Sequence, residues 1–293
     1  MATNYFKDVI ELRSKSILED LRQLSSIFRT APVTVLRNLP RCLPAITQSL
    51  GSPSQSSTFY NGILLGDKHP VKARVLNDLG KLYTVWGRYS EAEPLFEQAL
   101  AINKELLGEE HPLIAHNLHN LGSLYYYQER YQEAERLYRQ ALEMNKRLLG
   151  EQHPDVACNL NDLALLYWVQ KDYSKAEPLY HQALEIKKLW LGKEHPNVAR
   201  SLNDLAQLYS SQGVYTQAEQ LYQQAIAISK RSLGDNYPEM ARNLDNLGML
   251  YAKQGRSEEA KALHKQAWEI FEQKLEANHP WAIRCRENLE VLV

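Results

Sequence analysis

The sequence predicts an all-α protein, a solenoid of stacked antiparallel helix pairs, and three observations carry that expectation. A Leu-Gly-x-x-His-Pro tract recurs without drift: His69, His111, His153 and His195 stand 42 positions apart, and the next two steps land on Tyr237 and His279, each followed by proline. Within every period, apolar residues fall twice on the three-and-four spacing of a helical face. Glycines then separate one period from the next. A fixed period of this length marks units that bury their apolar faces only against neighbours, so the chain grows by addition around a quasi-one-dimensional core.

In chain order, residues 1–65 fit the period poorly. Phe6, Ile10, Ile17, Leu21, Leu24 and Phe28 form an amphipathic stripe between Tyr5 and Arg29; Pro32, Pro40 and Pro44 follow, and Ser49 to Thr58 is rich in serine. This region reads as a degenerate helical cap over the first repeat with a flexible connection, or else as a partner-docking helix. Residues 66–293 form the solenoid, with five full repeats and a final single helix.

The first helix of each repeat opens on Pro70, Pro112, Pro154, Pro196, Pro238 or Pro280, because the first turn has no intrahelical use for the missing N–H. Its apolar face is Leu76, Leu79, Leu82 and Tyr83, echoed by Leu118, Leu121, Leu124 and Tyr125 and by the later repeats. Gly80, Gly122, Ala164, Ala206 and Gly248 share one column, where a small residue admits a second helix at close range. That second helix is expected to open on capping boxes, Ser90 with Glu93, Ser174 with Glu177 and Thr216 with Glu219. Its core stripe runs Ala92, Leu95, Phe96, Ala99, Leu100, and it should stop at Gly108, Gly150, Gly192 and Gly234 in a left-handed conformation.

Composition narrows the function. With 34 Lys and Arg against 35 Asp and Glu in 293 residues, no general phosphate-neutralising surface is expected, which argues against nucleic acid as partner. Cys42, Cys158 and Cys285 are few and far apart, so neither a disulfide framework nor a paired-cysteine metal site is supported, and a reducing cytoplasmic setting fits. No apolar run approaches the roughly 20 residues that span a bilayer, and the N-terminus has neither a secretory nor a transit pattern.

The segment 153–184, with Leu-Asn-Asp-Leu-Ala-x-Leu-Tyr and then Tyr-x-x-Ala-Glu-Pro-Leu-Tyr-x-Gln-Ala-Leu, resembles the tetratricopeptide (TPR) repeats of the kinesin light chain family. The likeness covers about residues 66–293 and implies a right-handed TPR superhelix in which the first helices line a concave peptide-binding groove. Motor association is not implied, since those proteins join their motor through a long heptad coiled coil and only the Tyr5 to Arg29 stretch could form one.

Carried over position by position, the resemblance assigns one groove column to Arg74, His116, Cys158, Arg200, Arg242 and Arg284. The next turn contributes Asp78, Asn120, Asp162, Asp204, Asn246 and Asn288, with Asn77, Asn161 and Asn203 beside them. Asparagine suits a peptide groove because one carboxamide offers a donor and an acceptor to a peptide unit. Asp78, Asp162 and Asp204 depart from that pattern. Arg242 and Arg284 precede Asn246 and Asn288 rather than Asp, so the C-terminal end is expected to prefer acidic ligand residues.

The function expected is a protein-interaction scaffold or adaptor that holds extended peptide segments, without a cofactor. The alternative is a regulatory or sensor module whose curvature responds to a ligand. Catalysis is not expected, since no nucleophile elbow, phosphate loop or paired-carboxylate cleft is present. The periodic histidines cannot share a metal: stacked units sit roughly 8–10 Å apart, whereas zinc ligands all lie about 2 Å from one ion. They read instead as helix-start residues. His116, His119 and Cys158 are the sharpest metal candidate and lack a fourth ligand, so no metal site is expected from the sequence.

Overall fold

The computed structural model describes residues 70–235, 237–275 and 279–291. The cap and connection expected at 1–65, and His69, lie outside the described residues. Among the described residues the secondary structure is helical throughout, with no strand: α1 (Pro70–Val85), α2 (Tyr89–Leu107), α3 (Pro112–Tyr127), α4 (Tyr131–Leu149), α5 (Pro154–Val169), α6 (Tyr173–Leu191), α7 (Pro196–Gln212), α8 (Tyr215–Leu233), α9 (Pro238–Lys253), α10 (Ser257–Lys274) and α11 (Pro280–Val291). The odd-numbered helices each begin on the expected proline. Consecutive helices pack as pairs, the arrangement of an α-solenoid.

The described residues fall into two compact units, 70–144 and 145–291. In the first, α1 packs on α2 and α3, and α2 on α3; its core includes Ala73, Leu76, Phe96, Ala99, Leu118 and Leu121. In the second, each helix from α5 to α11 packs on the next, and α7 with α9 and α9 with α11 also touch. Leu160, Leu163, Leu166, Leu205, Leu208 and Leu250 are essentially inaccessible there.

The small-residue column works as expected. A Cβ added at Gly80 would lie 2.8 Å from the Phe96 ring, and one at Gly122 would lie 2.9 Å from Tyr138. The histidines also do helix-start work. Nδ1 of His111, His153 and His195 accepts the N–H two residues ahead, at Leu113, Asp155 and Asn197, at 3.1–3.2 Å. His279 does the same for Trp281. Each thereby satisfies one amide left without an intrahelical partner.

Two local expectations need correction. The second helices begin one residue before the serine or threonine of the supposed capping boxes, at Tyr89, Tyr173 and Tyr215, so those hydroxyls are already inside the helix. The N-caps are Arg88, Asp172 and Val214, and only Asp172 caps through its side chain, accepting from Lys175 N. Glu93, Glu177 and Glu219 are therefore free for another task. The terminating glycines do take positive φ, but with ψ of −176° at Gly108 and 154° at Gly192. That is the extended mirror region, open essentially to glycine alone, rather than the left-handed helical one.

Candidate functional site

The first helices carry their polar residues on a face turned away from the leucine stripe, and the structure shows what those side chains touch. In the 70–144 unit, Asn77 donates to Ala73 O and its Oδ1 accepts from Asn120 Nδ2 at 3.2 Å. Both amides are buried. Lys81 pairs with Asp78 at 3.8 Å and reaches His116 Nε2 at 3.4 Å. An ammonium can only donate, so that ring nitrogen carries the lone pair. Loss of hydration, then the Lys81 charge and then His119, push the His116 pKa down. Arg74 is exposed.

In the 145–291 unit the amide pairing recurs, with Asn246 Nδ2 donating to Asn203 Oδ1 at 2.9 Å. Asn161 Oδ1 accepts from Lys187 at 3.4 Å. Asp162 and Arg200 are partly exposed, Cys158 is exposed and Asp204 is buried. Arg200 meets Glu239 at 3.7 Å. His116 and His119 belong to one unit and Cys158 to the other.

Around α11 the chemistry changes. Asp245, 0 % exposed, accepts from His264 Nδ1 at 2.7 Å, from Arg284 Nε and a terminal nitrogen at 3.1 and 2.8 Å, and from Asn288 Nδ2 at 3.2 Å. Burial alone would raise its pKa; the Arg284 guanidinium first, then His264 and Asn288, outweigh it and hold the carboxyl below the usual range. Arg284, expected as a groove cation, is engaged by Asp245 and also donates to Asn246 Oδ1 at 3.3 Å. Arg242 is different. It is 5 % exposed, lies 5.3 Å over the Trp281 ring, and its Nε has no acceptor. Asn203 Nδ2 is likewise buried without one.

Two polar columns escaped the sequence reading. Between successive repeats, Asn103 donates to Asn117 (2.8 Å), Asn145 to Asn159 (2.7 Å), Lys187 to Ser201 (2.8 Å) and Asn243 to Ser229 (3.0 Å), every pair 14 positions apart. The repeated polar residues at 103, 145, 187 and 229 were the available signal, lying on an otherwise apolar face. The second column joins the hydroxyls of Tyr125, Tyr209 and Tyr251 to Glu93, Glu177 and Glu219 at 2.7–2.9 Å, each 32 positions back. Arg130 and Arg256 reach Glu93 and Glu219 while lying over the Tyr125 and Tyr251 rings. Burial, then the carboxylate partner, push the Tyr125 and Tyr209 pKa values up to about 12. These acids are inter-repeat struts rather than caps.

A family model described as tetratricopeptide repeat matches the chain at residues 62–105, 87–147, 119–188, 155–231, 209–273 and 239–292. The chain belongs to the tetratricopeptide repeat family. Its repeats are of the kinesin-light-chain-like kind. It is similar to a putative kinesin light chain with nearly identical TPR-like repeats from Podosopora anserina, at 29 % identity over 70 % of this chain and 97 % of that one, with a TM-score of 0.61. BtubC (BKLC) from P. vanneervenii is 25 % identical over 79 % of this TPR chain and 90 % of its own length, with a TM-score of 0.62. NprR, solved in complex with its cognate peptide NprX, shares the fold at 14 % identity, covering 99 % of this chain and 82 % of that one with a TM-score of 0.60. No curated protein sequence matches. Among the described residues, no helix is long and apolar enough to cross a membrane.

Proposed function

We propose that this TPR protein is a non-catalytic cytoplasmic adaptor that binds extended peptide segments of partner proteins along the polar face of its first helices. The observation that carries the reading is the recurring polar column on that face, where Asn120 pairs with Asn77 and Asn246 with Asn203 beside the more accessible Arg74, Asn161, Asp162 and Arg200. Carboxamides and guanidiniums of this kind offer hydrogen bonds to peptide units and carboxylates. The candidate face comprises Arg74, Asn77, Asp78, His116 and Asn120 in one unit, and Asn161, Asp162, Arg200, Asn203, Asp204, Arg242, Asn246, Arg284 and Asn288 in the other. The peptide complex of NprR supports the reading as a fold-level analogy only.

Screening the purified chain against an extended-peptide library should return ligands of micromolar affinity. The Asn120→Ala, Asn246→Ala double variant should lose them while keeping its helical circular dichroism. Unchanged affinity in a folded double variant would remove the amide column from recognition.

A further inference from the structure

Three columns of the repeat change character in one place. The second-helix position held by Phe96, Tyr138, Tyr180 and Tyr222 becomes His264. The first-helix position of Asn117, Asn159, Ser201 and Asn243 becomes Cys285, and that of Asn77, His119, Asn161 and Asn203 becomes Asp245. The three departures sit on α10, α11 and α9, far apart in the chain. Their ligand atoms nevertheless lie within 4.8 Å of one another, and all three side chains are buried.

We propose that Asp245, His264 and Cys285 form a binding site for a divalent ion of the zinc class. A carboxylate oxygen, an imidazole nitrogen and a sulfur are the donor set that zinc accepts, whereas calcium and magnesium take oxygen. Ligands about 2.0–2.3 Å from a shared tetrahedral ion stand roughly 3–4 Å apart. The 2.7 Å approach of His264 Nδ1 to Asp245 Oδ1 must therefore open slightly, and Cys285 Sγ must leave the His264 carbonyl oxygen, its acceptor at 3.2 Å. Arg284 holds the other carboxylate oxygen, Oδ2, and so orients Asp245 as an outer partner without taking the ligating atom. Asn288, part-buried, borders Oδ1; the fourth position falls on that side, to its amide oxygen or to water.

The charge and proton balance is explicit. The ion enters as M2+, the Cys285 thiol loses its proton to solvent, and the proton on His264 Nδ1 leaves that atom, reappearing on Nε2 or passing to water. At least one proton is released per ion, and affinity therefore rises with pH.

Cobalt(II) and zinc are the probes, added to the chelator-treated full chain. One cobalt per chain should bind with a thiolate-to-cobalt charge-transfer band, zinc should displace it, and zinc should raise the melting temperature. Cys285→Ser should abolish the band and Cys158→Ser should leave it intact. His264→Phe restores the aromatic residue found at Phe96 in the same column, and should weaken cobalt binding at least tenfold in a helical protein. No thiolate band at stoichiometric cobalt, or a band that persists in Cys285→Ser, overturns the site. Should His264→Phe fail to fold, the two cysteine variants still decide.

Discussion

The junction between α2 and α3 and the seat of α11 occupy equivalent places in the repeat and are built from opposite materials. In the first, the buried amide of Asn103 donates to that of Asn117 at 2.8 Å. At the second, the same two positions hold Phe271 and Cys285, and polarity has moved to the Asp245 carboxylate with its ring of His264, Arg284 and Asn288. A neutral amide pair needs no counter-charge, and it recurs with Asn145 and Asn159. A buried carboxylate is tolerated only with its full set of partners, since leaving it unpaired is costly.

Breaking the charged seat should have the largest effect. Asp245→Ala removes the carboxylate that balances the Arg284 guanidinium and should cost about 3–5 kcal/mol in denaturant unfolding, with Asp245→Asn costing less. The same group fixes a pH dependence. Its folded pKa is depressed, so its contribution is present above the unfolded aspartate value near 3.9 and is lost as pH falls through the folded value. Wild-type stability should drop on that acid limb, and Asp245→Asn should flatten it.

The amide junction offers the sharper test of the contrast. Asn103→Ala strands the Asn117 oxygen and should cost about 1–3 kcal/mol, whereas replacing both asparagines by leucine should be close to neutral. If the double replacement costs as much as Asn103→Ala alone, the pair does more than fill space. The smallest expected effect lies in what the regions share, the histidine caps. His111→Ala, which removes the acceptor of the Leu113 N–H, should lose about 1 kcal/mol, the usual worth of a side-chain N-cap, by thermal unfolding. His279→Ala should lose more, because His279 is buried and its ring centroid lies 5.1 Å from that of Trp281.

Much of the fold was legible because its signals are local. Proline at the first position of each odd-numbered helix and the capping histidines His111, His153, His195 and His279 act within a few positions, and the structure bears them out; the small residue expected at Gly122 does sit against another helix, at Tyr138. The capping boxes failed for a physical reason: a serine with a glutamate three residues on is consistent with a cap, but Tyr89, Tyr173 and Tyr215 are already helical. Glu93 therefore turns to the next repeat, a partner 32 residues away that no local pattern could name. The candidate face was legible as a set of columns, while the pairing of its amides with one another, Asn77 with Asn120 and Asn203 with Asn246, was not.

By itself the sequence determined the period, the helices, the direction of their leucine stripes and the close approach at Gly122, because the 3.6-residue turn and terminal chemistry are properties of short segments. Only the tertiary structure decided that Asp245, His264, Arg284 and Cys285 meet, that Arg242 is buried against Trp281 with an unmatched donor, and that Glu93, Glu177 and Glu219 brace neighbouring repeats. Those contacts join different helices, and which side chains face each other there depends on how the helices seat in their packed core. A fraction of a turn in that seating would exchange one partner for another while leaving every local pattern in the chain unchanged.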